Sequence, residues 1–353
     1  MELTDEEQWQ DWTMVAARSV VDRVERFEEL NAESEVEGNE VFNKMARKVW
    51  TEVAVHGFLA KDSVTGEIGL LTQTDLDGKC ALAMLRRAGV KFEDKDIKYV
   101  EPSCVARGAF NVDTGRKNGV VYEDETLIVD HHAMESGRDT SATKFVYELM
   151  VRLGLMERDL ALDKLVAFET QMDNWAYPKG NQREFFLESY KNMVGLSRYI
   201  SFESLFAFFE EGGDPEDELS EAQIERFGLT GKREEMKKKI EDSIASIARI
   251  EARGETFETE GHGKIVINVN GEVPLGFEAC RALGYGGCLY WYPEDDGYML
   301  VTREHLSGDE VTRFAEETNA INLRKRILMK PRWRRGELKT DLTEMVEKMK
   351  EML

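Results

Sequence analysis

Short apolar runs that end in polar or acidic side chains recur along the first half of the chain. Ile68 to Leu71 (IGLL) is followed at once by the polar segment TQTDLDG. After Gly78, the segment KCALAMLRRAGV carries apolar residues at helical spacing, and Gly89 is a typical helix stop. Leu127 to Val129 is again an apolar run, followed by the polar triplet DHH. This alternation predicts strand–turn–helix units, and therefore an α/β fold with a parallel sheet.

The pattern divides the chain into five segments. Residues 1–62 are predicted as an N-terminal helical extension, either a hairpin that packs on the next domain or an arm that binds a partner. Residues 63–217 carry the α/β pattern. Residues 218–253 are predicted as a long, charged connector helix with isoleucines every three to four residues. Residues 254–322 predict a smaller α/β domain. Residues 323–353 predict a basic segment and a final amphipathic helix.

Charge and cysteine usage limit the possible partners. The chain has 353 residues, with 69 acidic against 47 basic side chains and a net charge of −22. This balance works against broad, nonspecific binding to nucleic acid and favours short substrates or a local basic channel. Its four cysteines form no C-x-x-C pair, so we expect reduced thiols in a cytoplasmic protein. The N-terminus is acidic, and no apolar stretch approaches a membrane span, so no membrane association is expected.

Two acidic and imidazole-containing motifs stand at predicted strand ends. Asp75 and Asp77 are two residues apart after the first apolar run, and Asp130, His131 and His132 follow the later one. Ligands collect at the carboxyl ends of strands in open α/β sheets. Carboxylates and imidazoles without a cysteine partner suit Mn²⁺ or Mg²⁺, with Zn²⁺ as a further possibility. Taken alone, DLDG is a common turn sequence, so the prediction depends on the combination of both motifs.

The combination resembles the DHH phosphoesterase family, which includes RecJ-like exonucleases, nanoRNA oligoribonucleases, cyclic-dinucleotide phosphodiesterases and family II inorganic pyrophosphatases. The resemblance covers roughly residues 68–177. The first family motif has a histidine where this chain has Gln73. The second motif, a lone aspartate at a strand end, is matched best by Asp113 in FNVDTG, with Asp124 as the alternative. The fourth motif is matched by Asp173 in QMDNW.

The resemblance implies a centre of two divalent ions. Asp75 and Asp113 would hold the first ion, with Gln73 in the position of the family's histidine. Asp113 would also contact the second ion and so bridge the two ions. The remaining ligands of that second ion would be Asp77, His131 and Asp173. The resemblance also implies a catalytic group beside the ions, which consists of Asp130, His132 and Arg138. In this group His132 would face the scissile phosphate. Arg138 could instead form a surface salt bridge.

The implied activity is hydrolysis of phosphodiester bonds, in short oligonucleotides first and in cyclic dinucleotides second. Pyrophosphatase activity is less expected, because no dense set of basic residues flanks the DHH triplet. A neutral amide such as Gln73 is a weaker ligand than imidazole for a transition metal. The sequence therefore leaves a second hypothesis open: a catalytically degenerate, DHH-like protein that binds nucleotides or acts as a scaffold.

Substrate contacts are predicted in the last third of the chain. Arg303 in LVTRE resembles an arginine that ends a strand in the DHH-associated domain, although the glycine-rich GGGH motif of that domain is missing. Residues 323–339 form one strongly basic block, which could follow a phosphate backbone and stack a base. The alternative is a segment that balances the acidic body or contacts another subunit, as in a homodimer. The block's candidate contacts are Arg324, Arg326, Arg332, Trp333 and Arg334.

Overall fold

A computed structural model describes residues 70–353 apart from short gaps. The gaps are 73–74, 91, 93, 95–96, 101–104, 108, 116, 124–125, 133–138, 175–180, 293–296, 305, 308, 311–312, 314–320, 324–325 and 330–341. The predicted helical extension, 1–62, lies outside the described residues, as do Gln73, Arg138, Arg324, Arg332, Trp333 and Arg334. The chain divides into two compact units, Met1–Asn174 and Trp175–Leu353.

The N-terminal unit contains a five-stranded mixed sheet with the strand order β2-β1-β3-β5-β4. Strands β2, β1, β3 and β5 pair in parallel with one another. At the edge of the sheet, β4 pairs antiparallel with β5. Its strands and helices are β1 (Leu70–Thr72), α1 (Leu76–Arg87), β2 (Ile97–Tyr99), β3 (Phe110–Val112), β4 (Gly119–Glu123), β5 (Thr126–Asp130), α2 (Ala142–Arg152) and α3 (Leu160–Asp173).

The two strands that carry most of the candidate site are buried along their whole length. Every residue of β3 and of β5 is buried, including the polar Asn111 and Asp130. The sequence of a strand that is covered on both faces is typically a continuous apolar run. Leu127 to Val129 shows this pattern. Helices α1, α2 and α3 pack against one another. The side chains that follow these strands are therefore held by a rigid, buried framework.

Side-chain caps fix the starts of α1, α2 and α3. Asp75, Ser141 and Asp159 accept hydrogen bonds from backbone N–H groups in the first turns of α1, α2 and α3. The first-turn N–H groups of a helix have no partner within it, so such caps are strongly favoured. Helix α1 consequently begins at Leu76. The sequence pattern places its start later, after Gly78.

The C-terminal unit combines helices with a six-stranded sheet of order β10-β11-β9-β8-β7-β6. Among the strands that the structure describes in this sheet, only β7 and β8 pair in parallel. The helices and strands are α4 (Gln182–Glu188), α5 (Met193–Leu196), α6 (Phe202–Glu210), α7 (Glu221–Arg226), α8 (Lys232–Ala252), β6 (Thr256–Thr259), β7 (Gly263–Asn268), α9 (Gly276–Ala282), β8 (Gly287–Tyr292), β9 (Gly297–Thr302), β10 (Ile321–Leu323), β11 (Arg326–Met329) and α10 (Leu342–Met352).

The final amphipathic helix that the sequence predicts is present as α10. Its apolar residues join a buried cluster with side chains of the sheet. The members of this cluster are Phe257, Ile265, Leu289, Leu300, Leu306, Val346, Met349, Met352 and Leu353. Among the described residues, no helix is both long enough and apolar enough to cross a membrane.

The prediction of a mixed α/β chain is confirmed, with two corrections. The first sheet is mixed rather than wholly parallel, because β4 runs against β5. The single connector helix predicted for residues 218–253 is divided into α7 and α8. Gly228 and Gly231 have φ angles of 68° and 78° between these helices. Glycine enters this left-handed region without steric cost, and it ends one helix before the next begins.

Candidate metal centre

Parallel strands bring the acidic and imidazole side chains to one edge of the first sheet. Asp77 lies in the first turn of α1, directly after β1, and Asp113 follows the last residue of β3. Asp130 ends β5, and His131 and His132 come next. These three strands are neighbours in the sheet, so their carboxyl ends lie side by side. Asp173, the last residue of α3, completes the cluster.

Asp77 is fixed by the N-terminus of a neighbouring helix. Its Oδ2 accepts a hydrogen bond from the backbone N–H of Ala142 at 2.7 Å, and its Oδ1 accepts one from Thr143 at 2.7 Å. The Thr143 hydroxyl donates to the backbone carbonyl of Asp77 at 2.9 Å. Burial alone would raise the pKa of Asp77, but His131 and the Thr143 N–H lower it well below its ordinary value. A carboxylate held by helix N–H groups is both ionised and precisely oriented.

Asp113 has an unusual backbone conformation at the centre of the cluster. Its φ of 58° is the only positive φ of a non-glycine residue in the described part of the chain. Aspartate tolerates the left-handed region better than most residues, and such conformations concentrate at functional sites. The side chain is fully buried. Burial and the nearby Asp75, Asp77, Asp173 and Asp130 raise the pKa of Asp113 well above its ordinary value.

His131 lies among three carboxylates. Its Nε2 is 3.2 Å from Asp77 Oδ2, 3.3 Å from Asp113 Oδ1 and 3.5 Å from Asp173 Oδ2. The ligand atoms of Asp77, His131 and Asp173 lie within 4.8 Å of one another, and we name these residues the inner set. The ligand atoms of Asp113, His131 and His132 meet the same limit and form the outer set. Each set offers enough oxygen and nitrogen donors to hold a cation.

Asp130 orients His132. One carboxylate oxygen of Asp130, Oδ1, is 2.7 Å from His132 Nδ1, and the other accepts a hydrogen bond from the backbone N–H of Lys117 at 2.7 Å. Asp130 is fully buried, whereas 17% of the His132 side chain is exposed. A hydrogen bond from Nδ1 to a carboxylate fixes the tautomer and leaves Nε2 directed elsewhere. This is the arrangement of an imidazole prepared for proton transfer or for contact with a ligand.

The structure brings together most, but not all, of the residues that the sequence singles out. Asp77, Asp113, His131 and Asp173 form one cluster, and Asp130 with His132 adjoins it. Asp75 lies in neither donor set. It is exposed and caps α1, accepting a hydrogen bond from the Gly78 N–H at 3.0 Å. Its charge still raises the pKa of Asp113, so it lies near the cluster.

The predicted substrate arginines of the C-terminal unit are described only in part. Arg303 follows β9, is exposed, and donates a backbone hydrogen bond to the carbonyl of Gly286. Arg326 begins β11, and its side chain lies outside the described atoms. The role of both residues in substrate binding stays a prediction.

Glu169 is a buried carboxylate of this region that sequence reasoning missed. It lies on α3, four residues before Asp173, and has no solvent exposure. Burial, followed by the charges of Asp77 and Asp173, raises its pKa well above the ordinary value. The sequence contained a signal for Glu169. Leu162, Leu165, Glu169 and Asp173 follow one another at intervals of three to four residues, which places them on one face of a helix. A glutamate on the apolar face of a helix was therefore identifiable.

The donor chemistry fits a divalent cation that prefers oxygen and imidazole ligands. The two sets contain carboxylates and imidazoles alone. Cys80 is buried nearby, but burial and the charges of Glu169 and Asp77 raise the pKa of its thiol. A protonated thiol is a poor metal ligand. Mn²⁺ and Mg²⁺ therefore suit this centre better than cations that select thiolates.

Comparison with known proteins adds little to this geometry. No family model and no curated protein matches the chain. Among solved structures, the chain is similar to an uncharacterized protein from Helicobacter pylori G27, with 12% sequence identity over 80% of this chain and 98% of that chain. The TM-score is 0.21, so the likeness carries no argument about fold or function.

Neutralising Asp77 and neutralising Asp113 should have opposite effects on the metal-free protein. Asp77→Asn should lower the free energy of unfolding by about 2–3 kcal/mol, since an amide cannot accept from both N–H groups at the start of α2. Asp113→Asn should raise it, because it removes a buried charge among like charges. Asparagine also tolerates a positive φ. Urea unfolding in EDTA measures both; two changes of the same sign would contradict this account.

Affinity for Mn²⁺ should rise as the pH is raised from about 5 to about 8. The reason is that the pKa values of Asp113 and Asp173 are raised, mainly by burial, so protons compete with the cation for both carboxylates at low pH. Titration calorimetry in buffers of different ionisation enthalpy should show net proton release on binding. An affinity that does not change with pH would mean that Mn²⁺ binds elsewhere.

Proposed function

We propose that this protein is a metal-dependent phosphodiesterase of the DHH phosphoesterase type, acting on short oligonucleotides or cyclic dinucleotides. One observation carries the proposal: two donor sets of carboxylates and imidazoles, buried except for the partly exposed Asp173 and His132, share His131 at the carboxyl ends of adjacent parallel strands. The sequence motifs that resemble the family supply the same residues. A buried acidic cluster alone would support cation binding without indicating a reaction.

The chain provides ligands for two cations, and we expect the two cations to bind with unequal affinity. The inner set, Asp77, His131 and Asp173, would hold one cation, with Asp113 3.3 Å from His131. Asp113 of the outer set would also serve a second cation, with Asp75 near it. His132, the remaining member of the outer set, would face the substrate and is not assigned as a ligand in this proposal. Two divalent ions bound there would activate a water molecule and stabilise the attacking and leaving oxygens of an in-line displacement. Because Asp75 is exposed and caps α1, we expect the second cation to bind more weakly.

Asp130 and His132 supply the proton chemistry in this proposal. Attack of water on phosphorus forms one P–O bond and breaks another, and the leaving oxygen must gain a proton. Asp130 accepts the hydrogen on Nδ1 of His132, at 2.7 Å, so Nε2 is the atom that can carry a proton to the leaving oxygen. The buried carboxylate of Asp130 stabilises the positively charged imidazole that holds this proton.

The charge of the chain favours a short substrate. With a net charge of −22, the protein repels a long phosphate backbone unless a basic channel leads to the site. Arg303 and the basic block of residues 323–339 are the candidates for contacts with substrate phosphates. Arg138, which follows the DHH triplet in the sequence, is a candidate for binding the scissile phosphate as a fork. A substrate of few nucleotides needs only a few such contacts.

One observation favours a second candidate function. Asp75 belongs to neither donor set, and the position expected for a histidine holds Gln73. A chain that holds one cation firmly and the other poorly would bind a nucleotide phosphate without hydrolysing it. A nucleotide-binding or scaffold protein is therefore the alternative, and the activity assay distinguishes it from the enzyme.

With Mn²⁺ present, the protein should hydrolyse a dinucleotide or a short RNA, and Asp173→Asn should lower the rate by at least about 100-fold, since it removes a ligand of the inner set. Asp163→Asn is the matched control, because Asp163 lies on the same helix and its side chain is 41% exposed beside Arg158. Product formation is followed by chromatography. Binding of the same nucleotides without turnover under Mn²⁺, Mg²⁺ or Co²⁺ would favour the scaffold alternative.

A further inference from the structure

The two carboxylates of the inner set depend on different helix ends. Asp77 is held by the N–H groups of Ala142 and Thr143 at the start of α2, whereas Asp173 is the last residue of α3. The C-terminal end of a helix carries a partial negative charge, and terminal turns tend to fray. A carboxylate at that end is therefore poorly fixed by its own helix. The distance between Asp77 and Asp173 depends on how the start of α2 is joined to the end of α3.

Two hydrogen-bonded links join these helix ends. The Ser141 hydroxyl, at the start of α2, lies 2.9 Å from the Thr170 hydroxyl in the last turn of α3, and both side chains are buried. The side-chain amide of Asn174, the residue after α3, donates to the carbonyls of Thr140 and Thr170, each at 2.8 Å. We name these four residues the helix-end clamp.

The helix-end clamp lies directly beside the groups that hold both carboxylates. Ser141 precedes Ala142, whose N–H binds Asp77, and Asn174 follows Asp173 in the chain. Each contact in the series from Asp77 to the end of α3 is a hydrogen bond of 2.7–2.9 Å or a step along the backbone. A shift of one helix end is therefore transmitted to the separation of the two carboxylates.

We propose that Thr170 and Asn174 are positioning residues, which hold Asp173 at the distance from Asp77 that lets both carboxylates bind one cation. They act through these two carboxylates and not as ligands. Hydrogen bonds that orient metal ligands typically contribute a factor of about 10 to 100 to metal affinity. The inference rests on the inner set of the proposed function and deepens it by naming the residues that fix the geometry of that site.

The experiment measures the affinity of the full chain for Mn²⁺ alone by titration calorimetry. Thr170→Val removes one link, keeps the shape of the side chain and leaves the Ser141 cap of α2 in place. We expect it to weaken Mn²⁺ binding by about 10-fold. Thr170→Ser retains the hydroxyl and should restore most of the lost affinity. Asn174→Ala removes the other link and should also weaken binding.

A matched control tests whether the loss of any buried hydroxyl has the same effect. Thr259 is a buried threonine of the C-terminal unit, and its hydroxyl donates to the carbonyl of Gly263 at 2.9 Å. Thr259→Val makes the same chemical change away from the helix-end clamp. It should lower the stability of the metal-free protein to urea and leave the Mn²⁺ affinity unchanged.

A double-mutant cycle separates positioning from general support of the fold. If Thr170 acts through Asp173, Thr170→Val should weaken Mn²⁺ binding much less in a protein that already carries Asp173→Asn. The same fold-loss in both backgrounds would assign Thr170 a general structural role and overturn the inference. Wild-type Mn²⁺ affinity in both Thr170→Val and Asn174→Ala would overturn it as well.

These readouts do not depend on turnover, so the two proposals can fail separately. A protein that binds Mn²⁺, loses affinity as expected in Thr170→Val and cleaves no phosphodiester would contradict the proposed function and support this inference. A protein that cleaves phosphodiesters, with Mn²⁺ affinity unchanged in Thr170→Val and Asn174→Ala, would contradict this inference alone.

Discussion

Repulsion among buried carboxylates is the constraint on which the rest of the candidate centre depends. Asp77, Asp113, Asp173 and Glu169 lie close enough to perturb one another, and burial removes the water that would screen their charges. Such a cluster is unfavourable in the metal-free protein. It persists because the surrounding fold holds each residue in place, and bound cations would turn the repulsion into attraction.

The fold offsets this repulsion at one residue, Asp77, by stabilising the negative charge of its carboxylate. Two N–H groups at the start of α2 bind its carboxylate, and Ser141 caps the same helix end. The N-terminus of α2 therefore stabilises a negative charge, as helix N-termini generally do. Since Asp77 belongs to α1, these contacts also join two helices that pack beside the sheet. One carboxylate thus has a structural role besides the ligand role that we propose for it, whereas burial and neighbouring carboxylates disfavour the charge of Asp113.

The sequence predicts the site better than it predicts its surroundings. Acidic and imidazole residues after apolar runs pointed to Asp77 and His131, because parallel strands place their carboxyl ends together. Asp113 and Asp173 came from the family resemblance, and the structure brings all four residues together. The left-handed conformation of Asp113 was not predictable, since its local sequence is compatible with other turns. The break between α7 and α8 was missed because the isoleucine spacing dominated the two glycines. Glu169 was missed because it belongs to none of the motifs on which the resemblance depends.

The most direct test of the account is the position of bound Mn²⁺ in crystals, located by anomalous diffraction. The account predicts a strong peak coordinated by Asp77, His131 and Asp173, and a second, weaker peak that contacts Asp113. The stronger peak should persist at low Mn²⁺ concentration, because Asp77 and His131 are buried and all three ligands lie on or directly after α1, β5 and α3. If ordered crystals soaked in Mn²⁺ showed no peak within reach of His131, or a peak at Asp75 alone, the central claim would be contradicted.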